Sequence, residues 1–127
     1  VISGEVTEDG VPEILMSIAG RNWPATIDTG FNGYLELPAE LKGPLNPVFR
    51  GRIETSLAGG QVLSEDSFDV EVHFDGQTRT VEVTFVDSEE ILIGTHLMED
   101  HLLEIDFPNR TLQLKRLQSG NGQLSQG

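Results

Sequence analysis

Ala25-Thr26-Ile27-Asp28-Thr29-Gly30-Phe31-Asn32-Gly33-Tyr34-Leu35-Glu36-Leu37-Pro38 sets an acid at the end of an apolar run, with a glycine two residues after it. The run Ala25-Thr26-Ile27 reads as a strand that delivers Asp28, and Gly30 lets the backbone turn through φ values closed to other residues. An aspartate so placed has two readings. It can open a turn by bonding the backbone two residues on, or it can be held at a strand end for chemistry. On the tripeptide Asp28-Thr29-Gly30 alone the two weigh about equally, so the rest of the chain must separate them.

Before this stretch, Ile2 to Val6 and Ile14 to Ile18 flank Asp9-Gly10 as a hairpin, with Pro12 where a missing N–H matters least. Gly20-Arg21-Asn22 turns the chain into the Trp23 to Ile27 strand. After it, Gly33 bends the backbone ahead of Tyr34 to Pro38, and Ala39 to Lys42 can form a helical turn ended by Gly43-Pro44. Ile53 to Phe68 reads as two modest strands about Ala58-Gly59-Gly60, a tip with little to anchor it. Phe68, Val70, Val72 and Phe74 alternate with Asp69, Glu71 and His73, and Val81, Val83 and Phe85 resume the period of two beyond Asp75-Gly76. Ile91-Leu92-Ile93-Gly94 predicts a short buried strand. Thr95 then predicts the cap of a helix running to about Leu103, with Leu97, Met98 and Leu102 on one side. Ile105 to Phe107 and Thr111 to Leu114 flank Pro108-Asn109-Arg110 as a last hairpin.

The composition agrees with one β-rich domain, expected over residues 1–117, followed by a polar, flexible tail at 118–127. At 127 residues the chain holds a single core, and its 14 glycines suit a turn-rich fold. Eight Lys and Arg against 21 Asp and Glu leave a net charge of −13, which opposes nucleic acid and anionic membrane surfaces as partners. No apolar stretch reaches the length of a membrane helix, so a soluble chain is expected. With no cysteine there is neither a disulfide framework nor thiolate chemistry. The compartment stays open, with the cytoplasm favoured, and a start at Val1 is what removal of an N-terminal segment would leave.

Other chemistries find less support. His73, His96 and His101, with Glu99, Asp100 and Glu104 beside the last two, raise metal binding. A spacing of five, however, puts His96 and His101 on different sides of the predicted helix, where they read as a solvated face. No metal and no cofactor are expected. Ser64 and Ser67 lie outside any Gly-x-Ser-x-Gly elbow, which argues against a serine hydrolase.

The order of features is strand, Asp28-Thr29-Gly30, a Gly-bearing hairpin, then Leu92-Ile93-Gly94 opening a helix. It resembles the retroviral-type (retropepsin-like) single-domain aspartic proteases over about Ile2 to Leu114. Asp28 to Gly33 with Leu35 to Pro38 is similar to their cellular and prokaryotic branch. The resemblance implies an all-β fold, a retropepsin-like closed barrel or sandwich with one short C-terminal helix. It implies an aspartic endopeptidase acting on polypeptide substrates as a homodimer, each chain donating one Asp28. It also makes Thr29 a hydroxyl donor across the axis, Gly30 a backbone contact to substrate, and the hairpin tip a flap. Phe31, Asn32, Leu57, Ala58, Gly59, Gly60 and Ile93 would contact substrate, and Leu92 to Gly94 would thread the loop supporting Asp28. Ile2, Leu112 and Leu114 would contribute to an interface of interleaved chain ends. Two departures stand out. Thr95-His96 replaces the Arg and Asn or Asp usual after the supporting glycine, and Asn32 replaces an acid.

The chemistry has its own logic. Two carboxylates about 3 Å apart repel by roughly 5 kcal/mol at an effective dielectric near 20, so they share one proton. One can then act as base toward water and the other as acid toward the substrate carbonyl. A chain with one Asp-Thr-Gly meets this requirement only by pairing with itself. The remaining alternative is a catalytically silent module of the same fold that dimerises or binds peptides.

Overall fold

A computed structural model of the chain describes residues 1–117; the tail expected at 118–127 lies outside them. Period-two hydrophobicity becomes ten strands: β1 (Ile2–Val6), β2 (Pro12–Ile18), β3 (Arg21–Ile27), β4 (Leu35–Pro38), β5 (Val48–Ser56), β6 (Val62–Phe74), β7 (Gln77–Val86), β8 (Ile91–Ile93), β9 (His101–Asp106) and β10 (Thr111–Arg116). Their order in the sheet is β5-β6-β7-β4-β8-β3-β2-β1-β10-β9. Alternation decides which residues are inside: Phe68, Val70, Val72 and Phe74 of β6 are buried, and cross-strand Val81 and Val83 of β7 join them. Ile14, Met16 and Ile18 of β2, Trp23, Ala25 and Ile27 of β3, and Leu35 and Leu37 of β4 complete one continuous core.

Three expectations are corrected. The sheet does not close into a barrel, since β5 and β9 are edges with one neighbour each. The short helix is α1 (Lys42–Leu45), which follows a 3-10 turn at Ala39–Leu41 and ends at Asn46 in the left-handed region. The segment from Thr95 is not helical. Leu97, Met98 and His101 donate to the carbonyls of Gly94, Thr95 and Met98, a run of separate turns, and the chain then extends as β9. Six ladder pairs from His101↔Arg116 to Asp106↔Thr111 outweigh the local helical signal of Leu97, Met98 and Leu102. Leu97 and Met98 are indeed buried, but Leu102 is on an exposed face.

The histidine reading changes with it. His101 is no helix-surface residue: its side chain is 3 % exposed, and Nε2 lies 2.9 Å from Asp75 Oδ2. Asp75 occupies the left-handed position of the β6–β7 turn and is also met by Arg116 at 3.4 Å. The Arg116 guanidinium donates to the Asp75 carbonyl as well. This network fastens the β6–β7 turn to β9 and β10. Finally, Leu112 and Leu114 are core residues and Ile2 packs against them, because β1 pairs with β10 of its own chain through Ile2↔Leu114. Leu112 and Leu114 are thus unavailable as exposed interface side chains, while Ile2 is half-buried.

Candidate active site

The site is set by where β8 runs. β3 and β8 are parallel, with Thr26↔Leu92 and Ile27↔Ile93 in register, while β4 pairs with the other side of β8 through Leu35↔Ile93. The chain leaving β3 at Asp28 must therefore arch over the end of β8 before it returns as β4. Asp28 is fixed at the start of this arch. Its N–H donates to the Ile93 carbonyl at 3.0 Å, and its own carbonyl accepts the Phe31 N–H at 3.1 Å. Its Oδ1 accepts the Gly30 N–H at 2.8 Å, so the turn-forming contact and the strand-end placement coexist. Thr29 and Gly30 are exposed and Asp28 is half-buried.

Beneath the arch, the chain leaving β8 supports it with backbone groups. Gly94, Thr95 and His96 donate to the carbonyls of Tyr34, Phe31 and Gly33 at 3.0, 2.8 and 3.1 Å. Gly94 has to be glycine. A Cβ there would strike the Gly33 carbonyl oxygen and come 2.8 Å from the Phe31 ring. Main-chain donors do not depend on side-chain type, so Thr95-His96 can brace the loop without an arginine in this position. His96 adds a tilted ring contact with Tyr34, centroids 5.4 Å apart.

Next to the arch lies a cleft of about 390 Å³. Phe31, Tyr34 and Glu36 form one wall, Ile53, Thr55, Leu63 and Glu65 of the β5–β6 hairpin the opposite one, and β7 the floor. The hairpin register explains the second wall, since Ile53 pairs with Glu65 and Thr55 with Leu63. Its tip is exposed and held by Gly60 N–H to Leu57 carbonyl at 3.2 Å, with Gly59 and Gly60 at φ 86° and 83°. Glu36 is held above the ordinary carboxylate range, first by burial, then by the charges of Glu65 and Asp28. Asp28 and the cleft thus form one electrostatic neighbourhood.

The structure brings Asp28, Thr29, Gly30 and Phe31 together, leaves Asn32 exposed, and carries Leu57, Ala58, Gly59 and Gly60 beyond the cleft walls at the hairpin's free end. Ile93, expected against substrate, is fully buried beside Ile27, and only its carbonyl serves the site. Strand parity places Leu92 on the face shared by Thr26 and Asp28 instead. Tyr34, Glu36, Ile53, Leu63 and Glu65 escape a reading centred on the motif. The signal for the hairpin residues is alternation along its two arms, counted from the tip.

The fold and this loop arrangement define a class. Solved structures with the same architecture include a retropepsin-like aspartic protease from Rickettsia conorii, 17 % identical, with a TM-score of 0.65 over 89 % of this chain and 88 % of that one. Simian foamy virus protease is 15 % identical, with a TM-score of 0.55 over 68 % of this chain and 91 % of that one. No protein-family model and no curated protein matches the chain in sequence. The chain has a retropepsin-like fold. Among the described residues, no helix is long and apolar enough to cross a membrane.

Proposed function

We propose that the protein is an aspartic endopeptidase whose active site joins the Asp28 carboxylates of two identical chains. The observation that carries this reading is the fixing of Asp28 between the Ile93 carbonyl and the Gly30 N–H, under a loop braced by three further backbone bonds. Such bracing gives the preorganisation that acid–base chemistry needs. One Asp28 takes a proton from water, which attacks the peptide carbonyl, and the other gives its proton to the carbonyl oxygen. Both are used through their shared proton, so no metal or nucleophilic side chain enters. Thr29 and Gly30 line the same face, and the β5–β6 hairpin closes over the peptide.

Asp28→Asn tests this directly. The variant should keep its circular dichroism and melting temperature, because volume barely changes, and should lose hydrolysis of a peptide library by at least about 1,000-fold. Cleavage at a rate near that of the parent would remove Asp28 from the mechanism. Peptide binding without cleavage in the parent would favour the silent module of the same fold.

A further inference from the structure

The cleft beside Asp28 has a chemical bias that the catalytic reading does not use. Its walls combine apolar side chains, Phe31, Ile53, Leu63 and Val86, with three carboxylates, Glu36, Glu65 and Glu82. Glu82 is met by Arg50, Nε to Oε2 at 3.4 Å. Arg52, the other arginine of β5, is engaged with Asp66 at 3.1 Å. Among the described residues Glu36 and Glu65 have no cationic partner, although they face each other closely enough for the charge on Glu65 to act on Glu36. A mostly apolar cleft that also carries uncompensated negative charge fits a long aliphatic stem with a cationic head. It disfavours an acidic side chain by like-charge repulsion and leaves an apolar one with nothing to pair with the carboxylates.

We infer that this cleft receives a lysine or arginine side chain of the substrate peptide, with Glu36 and Glu65 as the residues that determine the preference. The inference rests on the peptide-cleaving reading of Asp28 for its catalytic meaning, but the recognition itself is a property of the cleft. The substrate stem lies along Ile53 and Leu63, which the β5–β6 register sets beside Glu65 and Thr55. The ammonium or guanidinium reaches Glu36 on β4 from there. Half-burial of Glu36 limits solvent screening, so the contact counts for more than a pair on an open surface. The arginines of β5 define the limit of this selectivity: Arg52 pairs with Asp66 and Arg50 is shared between Asp69 and Glu82, whereas Glu36 and Glu65 have no such partner among the described residues.

The test is a peptide library holding lysine and norleucine in equal amounts at every position, with product masses read after limited digestion. The parent should favour lysine at one position near the cut by about tenfold, the size expected of a charge-assisted contact. In Glu36→Gln/Glu65→Gln that ratio should fall toward one, and in Glu65→Lys a glutamate library should be preferred over its glutamine counterpart. Cleavage without any lysine preference, or a preference unmoved in the double variant, would overturn the inference while leaving the protease reading intact. Binding supplies the independent readout. Asp28→Asn protein titrated with the lysine and norleucine libraries should bind the former more tightly, and only when Glu36 and Glu65 are present. If no peptide is cut but this difference is found, the recognition stands and the catalytic reading falls; equal binding of both libraries overturns the recognition whatever the cleavage result.

Discussion

Two carboxylates with opposite shifts show how single residues divide structure from site. Asp75 is 11 % exposed, and burial alone would raise its pKa, yet the hydrogen bond from His101 and the charges of the amino terminus and Arg116 bring it below the ordinary value. A carboxylate depressed in the folded state adds stability that is present above its unfolded pKa and lost as pH falls through the folded one. Asp75→Asn should therefore lower the melting temperature at neutral pH, by about 2–3 kcal/mol of stability, and the gap from the parent should close at acid pH, once the pH has fallen through the lowered pKa of Asp75. Melting curves at the two pH values check it, and an equal gap at both would refute the ionic origin. Glu36 has the opposite sign. Its raised pKa means that ionisation is disfavoured in the folded chain, so it weakens the fold as pH rises through the carboxylate range. Glu36→Gln should raise the melting temperature at neutral pH and leave it unchanged at low pH, the behaviour of a group retained at a cost to stability. Neither carboxylate stands out in the sequence. Asp75 looks like half of an Asp-Gly turn and Glu36 like one polar position in Leu-Glu-Leu, because their partners His101 and Glu65 are 26 and 29 residues away.

At the scale of elements, legibility followed the range of the interactions that form them. The β6–β7 hairpin could be read from Phe68 to Phe85 because its alternation and its Asp75-Gly76 turn are local. The failure at Thr95 to Leu103 has the converse cause. Thr95, Leu97 and Met98 are individually compatible with a helix, but β10 offers His101 to Asp106 a full ladder, and only the partner strand reveals it. Asp28 was legible as a candidate from its strand end and glycine, whereas the cleft beside it was not, since its walls come from β4, β5, β6 and β7. The crossing of Gly94 under the Gly33 carbonyl permits a sharp test of this architecture. Gly94→Ala should destabilise the chain by about 3 kcal/mol, since a methyl group meets backbone instead of a movable side chain. Denaturant unfolding measures it, and a loss under 0.5 kcal/mol would show that the loop does not cross as tightly as described. The hairpin tip should behave differently. Gly59→Val/Gly60→Val places branched residues at two positive φ values in an exposed turn, so turnover should fall several-fold while unfolding of the core changes by less than about 1 kcal/mol. Unchanged kinetics would reduce that hairpin to a surface turn.

For the whole molecule, the count of motifs governs what one chain can do. The sheet order was not legible because its centre rests on parallel pairs between remote segments, β3 with β8 and β4 with β7, and sequence periodicity does not name a strand's neighbour. One Asp-Thr-Gly was legible, and it has the more consequential implication. Each chain supplies one Asp28, half-buried and flanked by exposed Thr29 and Gly30, while a shared-proton mechanism requires two facing acids. The terminal strands do not offer themselves for exchange in this arrangement, because β1 is already held between β2 and β10. Under the proposed mechanism, pairing would use surface that remains free in this arrangement, including the face around exposed Thr29 and Gly30. Specific activity should fall on dilution through the dimer dissociation constant and become proportional to protein concentration well below it, where the total rate scales with the square of that concentration. A ninefold excess of Asp28→Asn chains, mixed and equilibrated at concentrations where pairing is complete, should leave about a tenth of the parent activity, as random pairing puts most parent chains in dimers with a single acid. Sedimentation of the same mixtures reports the oligomer independently of activity, so a loss of pairing can be told from a loss of chemistry. A monomer with full activity at every concentration, unaffected by the excess, would overturn both the homodimer and the paired-aspartate mechanism.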